Sequence, residues 1–345
     1  MEHSGDTEAA ASPGIPDNTV PGWVGREAVD YTAATGGSGQ HEFDGSARIY
    51  QFDEEFGDVG PKFPELELEL FGDPALRHER AGLDFAKLVP SPRRLALVLL
   101  LTSLRIDRIE VQQEGPVKIN PVRTFKDAGI HPLMLENVEL AGYDTPTPIQ
   151  KFTIPAMLQG YDVIGIAQTG KSFARLKPSL QLTVGTGSGK TAAYLIPILS
   201  KLMGKAKKFA APRPNPSAFV EGRDEVVAEP LVLIVVPTRE LAVQIFNEAR
   251  KFCYRTMLRP GVLYGGCPIR QQVALLNRGC DVLVGTPGRL VDFIGRPNVL
   301  TLRRLRYMVI DEADEMLDCD WGEEIRQILT GGGSSQHFTI CPNIG

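Results

Sequence analysis

Residues 185–191 read GTGSGKT and run straight into the apolar stretch AAYLIPIL at 192–199. Glycines at alternate positions let successive backbone N–H groups turn inward around an anion. A helix starting immediately afterwards adds the positive end of its dipole. Lys190 then supplies a point charge and Thr191 a hydroxyl that suits Mg²⁺, so Gly187, Ser188, Gly189, Lys190 and Thr191 read together as a phosphate cradle. A plain flexible Gly/Ser loop is the competing reading, and the helix that follows argues against it.

The flanking sequence supports a sheet to carry this loop. Short apolar runs, DVIGIA at 162–167, LVLIVV at 231–236, DVLV at 281–284 and YMVI at 307–310, alternate with helical stretches at 191–203, 239–252 and 269–278. Continuous apolar strands separated by helices predict a parallel sheet covered on both faces, a doubly wound α/β fold. The run at 306–310 ends in Asp311-Glu-Ala-Asp314, and carboxylates at the carboxyl end of a parallel strand lie where such sheets bind ligands. Asp311 is placed to reach a metal and Glu312 to orient or deprotonate water.

The segment from about Phe125 to Leu329 resembles the first RecA-like domain of DEAD-box ATP-dependent RNA helicases, most closely the Vasa/Ded1-type subgroup. GYDTPTPIQ at 142–150 resembles the Q motif, with the aromatic Phe125 upstream, and the resemblance implies that Gln150 reads adenine while Phe125 stacks on it. PTRELA at 237–242, Gly265-Gly266 and TPGR at 286–289 resemble the motifs that line the RNA backbone in the family. What this implies is contact from Arg239, Gly266, Thr286, Gly288 and Arg289 to phosphate and ribose, without sequence readout. The implied catalytic set is Glu312, Lys190 and Asp311; Thr191 and Asp311 would place Mg²⁺, and ATP and Mg²⁺ are the implied cofactors. Each motif alone has a bland reading as a helix start or a turn. Six of them in order, over some 200 residues, carry the resemblance jointly.

The sequence departs from the family pattern at two places. AQTG at 167–170 begins the phosphate loop, but residues 171–187 intervene before SGKT at 188–191. Removing those 17 residues rejoins AQTG to SGKT without a scar, so a retained short intron is one reading, decided by sequencing cDNA across the junction. If the insert is protein, LQLTV at 180–184 competes with DVIGIA for the place before the cradle. The apolar block at about 87–106 invites the same explanation. At the other end, SSQHFTICPNIG at 334–345 reads as foreign to the domain, and the second RecA-like domain expected by the family pattern does not follow. The expected organisation is therefore a mostly disordered tail over 1–120, a RecA-like domain over 121–333 with an insert at 171–187, and a non-family tail over 334–345.

Composition agrees with this organisation and excludes much else. The chain has 345 residues, 43% hydrophobic and 23% charged, with a net charge of −5. Its apolar runs fall far short of the roughly 18 residues of a spanning helix, and its acidic start lacks a secretory pattern. A cytoplasmic or nuclear protein is the expectation. Five cysteines show no CxxC spacing, which argues against a zinc site. The function expected is an ATP-dependent RNA helicase, truncated here; the alternative is a non-catalytic ATP- or RNA-binding fragment, and a different P-loop NTPase fits the motifs less well. RNA is the expected partner, bound through its backbone.

Overall fold

The computed structural model describes residues 43–51, 58–74, 111–115, 117–167, 180–184, 189–214, 218–318, 321–331 and 339–344. The apolar block at 87–106, most of the insert at 171–187, and Gly187 and Ser188 of the cradle lie outside them. In chain order the elements are α1 (Pro64–Phe71), β1 (Gln112–Glu114), α2 (Pro132–Leu140), α3 (Pro148–Gln159), β2 (Val163–Ala167) and β3 (Leu180–Val184). Then come α4 (Lys190–Leu202), α5 (Ala206–Phe209), β4 (Val232–Val235), α6 (Arg239–Phe252), β5 (Pro260–Leu263) and α7 (Ile269–Leu276). The last are β6 (Val282–Gly285), α8 (Pro287–Ile294), β7 (Tyr307–Ile310), α9 (Ala313–Asp318), α10 (Gly322–Gly331) and β8 (Thr339–Ile344).

The strands form one sheet in the order β1-β3-β2-β8-β7-β4-β6-β5, parallel throughout except for the short β1, which pairs antiparallel with β3. Strands β4 and β6 are buried along their whole length, as continuous apolar runs require in a sheet covered on both faces. One core layer holds α4 and α6 against the sheet; a second holds α7, α8 and α10 on the opposite side. Helix α4 is nearly all apolar after its first turn and is buried from Ala192 to Leu202 apart from Lys201.

Both candidate strands for the cradle enter the sheet. β2 and β3 run parallel in register, Val163 opposite Leu180 and Ala167 opposite Val184, so both deliver the chain to the same end. The strand that feeds the cradle in this chain is β3, one position further out than β2, with four residues between Val184 and Gly189. Residues 339–344, read from sequence as foreign to the domain, form β8 between β2 and β7, with Tyr307 opposite Thr339 and Gly165 opposite Asn343. Backbone pairing makes no demand on side-chain motif, which is why motif reading passed over this strand.

Part of the stretch read as tail also packs on the domain. In α1, Pro64 sits at the first turn, Glu65 and Glu67 complement the helix dipole, and Gly72 ends the helix at φ 71°. Its Leu66, Leu70 and Phe71 are buried, and Phe43 and Tyr50 further upstream are 4% and 3% exposed. Composition predicted too little apolar surface for this segment, but what there is sits at helical spacing and converges on Tyr254. No helix among the described residues is long and apolar enough to cross a membrane.

Candidate nucleotide and RNA site

At the carboxyl end of the sheet, three elements converge on the start of α4. Gly189 caps the helix at φ 73°, a conformation that favours glycine, and its carbonyl accepts from Ala193 N–H at 3.1 Å. The same carbonyl accepts from Gln150 Nε2 at 3.0 Å, while Gln150 Oε1 accepts from Thr147 N–H at 2.9 Å at the start of α3. Both ends of the Gln150 amide are thus held by protein, and the fully buried side chain ties the Q-like helix directly to the phosphate loop.

Lys190 is the first residue of α4, beside its positive end. Thr191 follows, with Tyr194 one turn on in the same helix. Tyr194 O–H donates to Asp311 Oδ2 at 2.9 Å, so the phenol bridges the helix start and the carboxylate at the end of β7. Burial, followed by the Asp311 charge, pushes the Tyr194 phenol well above its ordinary value, so it stays a donor. Asp311 is 4% exposed, and its other oxygen accepts from Glu312 N–H at 3.1 Å. Tyr194 was missed in the sequence because it sits within an apolar helix. Its i,i+3 spacing from Thr191 was the available signal.

Glu312 follows at φ 53°, left-handed and non-glycine, a strained backbone geometry. Its carboxyl is pushed up from 4.5 to about 7, first by burial, then by a hydrogen bond with Glu315 and the charges of Asp311 and Glu315; Lys190 pulls the other way. A carboxyl titrating near neutrality is suited to take a proton from water. The raised value also links to stability. The protonated form is the one favoured by the fold, so stability is full below pH 4.5 and declines as pH rises through about 7. Glu312→Gln is expected to match the parent at pH 4 and to exceed it by about 1 kcal/mol at pH 8, after allowance for solvent screening of a half-exposed group. Urea melts at the two pH values check this; an equal difference at both would remove the linkage.

The donor set fits a hard divalent cation: one buried carboxylate, Asp311, and one hydroxyl, Thr191, with further places for phosphate oxygens and water. Among the described residues no group of three or more His, Cys, Asp or Glu is placed to hold a metal ion. Phe125, expected to stack on a base, lies in the core at 3% exposure with its ring edge-on to Tyr143, 6.4 Å between centroids.

The residues with RNA-like motifs gather at the carboxyl ends of β4, β5 and β6. Arg239 opens α6 with its guanidinium 4.8 Å from the Tyr264 ring. Gly266 turns at φ 83° with open space around it, and Thr286 precedes α8, its N–H donating to Leu263 O at 3.0 Å. A Cβ added at Gly288 would meet the Trp321 ring at 3.6 Å, ordinary van der Waals contact. Arg289 departs from expectation. It is 3% exposed, donates to Cys267 O at 3.2 Å and lies 3.7 Å from Asp292, so it fastens the Gly265-Gly266 turn to α8 from beneath.

A family profile described as DEAD/DEAH box helicase matches residues 147–340. Among solved structures, the chain is similar to the RNA helicase Prp28 from Chaetomium thermophilum bound to ADP, at 32% identity over 68% of this chain and 48% of that one, with a TM-score of 0.52. It is also similar to the yeast DEAD-box splicing factor Prp28, at 28% identity over 74% and 52%, again with a TM-score of 0.52. The chain thus spans about half the length of the solved relatives it matches. With a profile match over more than half of its residues, the chain belongs to the DEAD/DEAH box helicase family.

Proposed function

We propose that this chain is the nucleotide-binding half of an ATP-dependent RNA helicase of DEAD-box type, which couples ATP binding and hydrolysis to backbone-directed RNA binding. The observation that carries the reading is the convergence of Gln150, Lys190, Thr191, Tyr194, Asp311 and Glu312 on one helix start. In this reading Lys190 and the loop amides, including those of Gly187, Ser188 and Gly189, hold phosphates, and Gln150 locks the loop shape. Thr191 and Asp311 would hold Mg²⁺, which supplies charge neutralisation of the phosphates. Glu312 receives the proton of the attacking water, and the Tyr194 hydroxyl holds the Asp311 carboxylate in place. Arg239, Gly266, Thr286 and Gly288 form the RNA track, and Arg289 shapes it from below. The Vasa/Ded1-type subgroup is the finer assignment, resting on sequence detail around 142–150 and 237–242.

Hydrolysis needs positive charge on the transferring phosphate from across the cleft, which in this family reading belongs to a second RecA-like domain. The expected result is therefore nucleotide binding with little or no turnover by this chain, and RNA-stimulated turnover by a version lacking 171–187 and joined to such a domain. Lys190→Ala should weaken ADP binding by about 100-fold, and Glu312→Gln should abolish the turnover of the joined version. Absence of ADP binding at millimolar concentration would sink the proposal. A non-catalytic ATP- and RNA-binding module is the second reading; RNA binding without turnover by the joined version would favour it.

A further inference from the structure

At the end of the sheet away from the nucleotide site, the sequence concentrates positive charge in two short stretches. Residues 201–210 and 301–310 hold four lysines and three arginines and no acidic residue, in a chain whose net charge is −5. The fold brings the two stretches together. Lys201 lies in the last turn of α4, about 17 Å of helix away from Lys190, and Arg306 immediately precedes β7. The patch therefore sits at the amino ends of the central strands, whereas the nucleotide and RNA residues sit at their carboxyl ends.

The cations are held in place around an aromatic ring. The Arg306 guanidinium lies over the Phe209 ring, 3.9 Å from its centroid, and Lys208 Nζ is 5.9 Å from the same centroid. Arg304 Nη1 donates to the carbonyls of Phe209 and Ala210 at 3.2 and 3.3 Å, which ties the end of α5 to the approach to β7. On the α4 side, Lys201 Nζ donates to Met157 O at 3.2 Å and lies 5.9 Å from the Tyr307 centroid. Burial, followed by the charge of Lys205, lowers the Lys201 ammonium from its ordinary value, and the second cause is that of like charges held close. Part of the charge is answered within the protein: Glu229 takes Arg303 at 3.0 Å and Arg304 at 2.9 Å, one carboxylate for two guanidinium groups. Lys205, Lys208 and Arg306 are exposed and, among the described residues, enter no ion pair.

Ammonium groups suit phosphate as point charges, and a guanidinium is also a plane on which a base can stack. Cations interleaved with an aromatic ring are the pattern that tracks a single-stranded backbone, whereas an acidic peptide would use the charge alone. We propose that Lys205, Lys208 and Arg306 form a second RNA contact, which takes backbone phosphates of a strand whose other part lies on the track of Arg239, Gly266, Thr286 and Gly288. This rests on the reading of the chain as an RNA-binding protein. The contact carries no sequence readout and acts only on a strand long enough to reach both ends of the sheet.

The test is fluorescence anisotropy of labelled oligouridylates of about 6 and about 20 nucleotides titrated with the full chain over a range of salt. At the roughly 3.4 Å per nucleotide of a duplex strand they span about 20 and about 70 Å, so the short one covers a single site. The triple variant Lys205→Gln, Lys208→Gln, Arg306→Gln should bind the long strand at least about tenfold more weakly at about 50 mM salt, and the slope of log Kd against log salt should fall by about 2, or about 0.7 for each phosphate released. Its affinity for the short strand should stay within about twofold of the parent. The charge-keeping variant Lys205→Arg, Lys208→Arg, Arg306→Lys should retain both the long-strand affinity and the slope, which separates lost charge from a disturbed fold. Arg239→Ala, in the track, should weaken both lengths. Unchanged long-strand binding in the Gln variant, or an equal loss for both lengths, would overturn the proposal while leaving the track intact. Tighter binding of a peptide of alternating Asp and Glu than of the long RNA, lost in the Gln variant, would make the patch a protein-docking surface and overturn it equally. If the short strand does not bind while the long one binds and is lost in the Gln variant, the patch stands and the RNA track proposed above falls.

Discussion

Tyr254→Ala is expected to lower stability by about 3–4 kcal/mol, in the range for a large buried aromatic. Tyr254 is fully buried, and the N-terminal segment is built around it. The Tyr50 ring meets it edge-on at 5.2 Å and Phe71 at 5.6 Å, and its phenol oxygen accepts from Phe63 N–H at 3.0 Å. Its backbone is fixed separately, since Asn137 Nδ2 donates to the carbonyls of Phe252 and Tyr254 at 3.0 and 2.8 Å. The substitution therefore removes a side chain from between two layers without unfastening the strand-side turn. Beside it, buried Arg250 donates to Arg48 O and pairs with Glu69, a second tie to the same segment. If the side chain acts mainly by holding the segment, its cost shrinks to about 1 kcal/mol in a chain lacking residues 1–74, where Tyr50 and Phe71 are gone. Urea denaturation of the four chains, wild type and Tyr254→Ala with and without residues 1–74, measures this coupling. Equal costs in both backgrounds would mean that Tyr254 supports the domain alone.

That segment marks the limit of what the sequence disclosed. The central strands were legible because strands buried on both faces must be apolar throughout, and 231–236, 281–284 and 307–310 could be little else. The motifs at Lys190 and Asp311-Glu312 stood out in the sequence by residue type at fixed spacing, and the structure brings the start of α4 and the end of β7 together through Tyr194 and Asp311. The N-terminal segment was not, because average composition hides a few apolar residues placed at helical spacing against a partner some 190 positions away, as Phe63 and Tyr254 are. Strand β8 was obscured for a related reason: its place in the sheet depends on backbone pairing with β2 and β7. Arg289 shows the opposite failure. A motif suggested an outward contact, but a guanidinium one turn into a helix packed under the Cys267 carbonyl finds its partner in the protein first. Tyr194 was invisible because a phenol among Ala, Leu and Ile reads as core until the carboxylate opposite it is seen.

The site's most sensitive single atom is the missing Cβ of Gly189. An alanine there would place a methyl group 2.6 Å from Gln150 Nε2 and 3.5 Å from Thr147 Cγ2, at a backbone φ of 73°. The backbone conformation alone costs about 1 kcal/mol. The steric conflict adds a second penalty, because Gln150 cannot retreat without surrendering its bond to the Gly189 carbonyl, and a buried amide left without a partner costs about 1–3 kcal/mol more. Gly189→Ala is therefore expected to weaken ADP binding by about 30- to 1,000-fold, through a distorted loop and not through a lost ligand contact. The mechanism predicts its own partial rescue. Gln150→Ala removes the obstructing amide, so the double variant Gly189→Ala, Gln150→Ala should bind ADP more tightly than Gly189→Ala alone, although Gln150→Ala by itself weakens binding by freeing the loop. Titration of a fluorescent ADP analogue into the four chains reads the effect. Additive losses would show that the Gln150 amide and the Gly189 carbonyl do not act as one unit, and that the link between the α3 start and the phosphate loop is incidental.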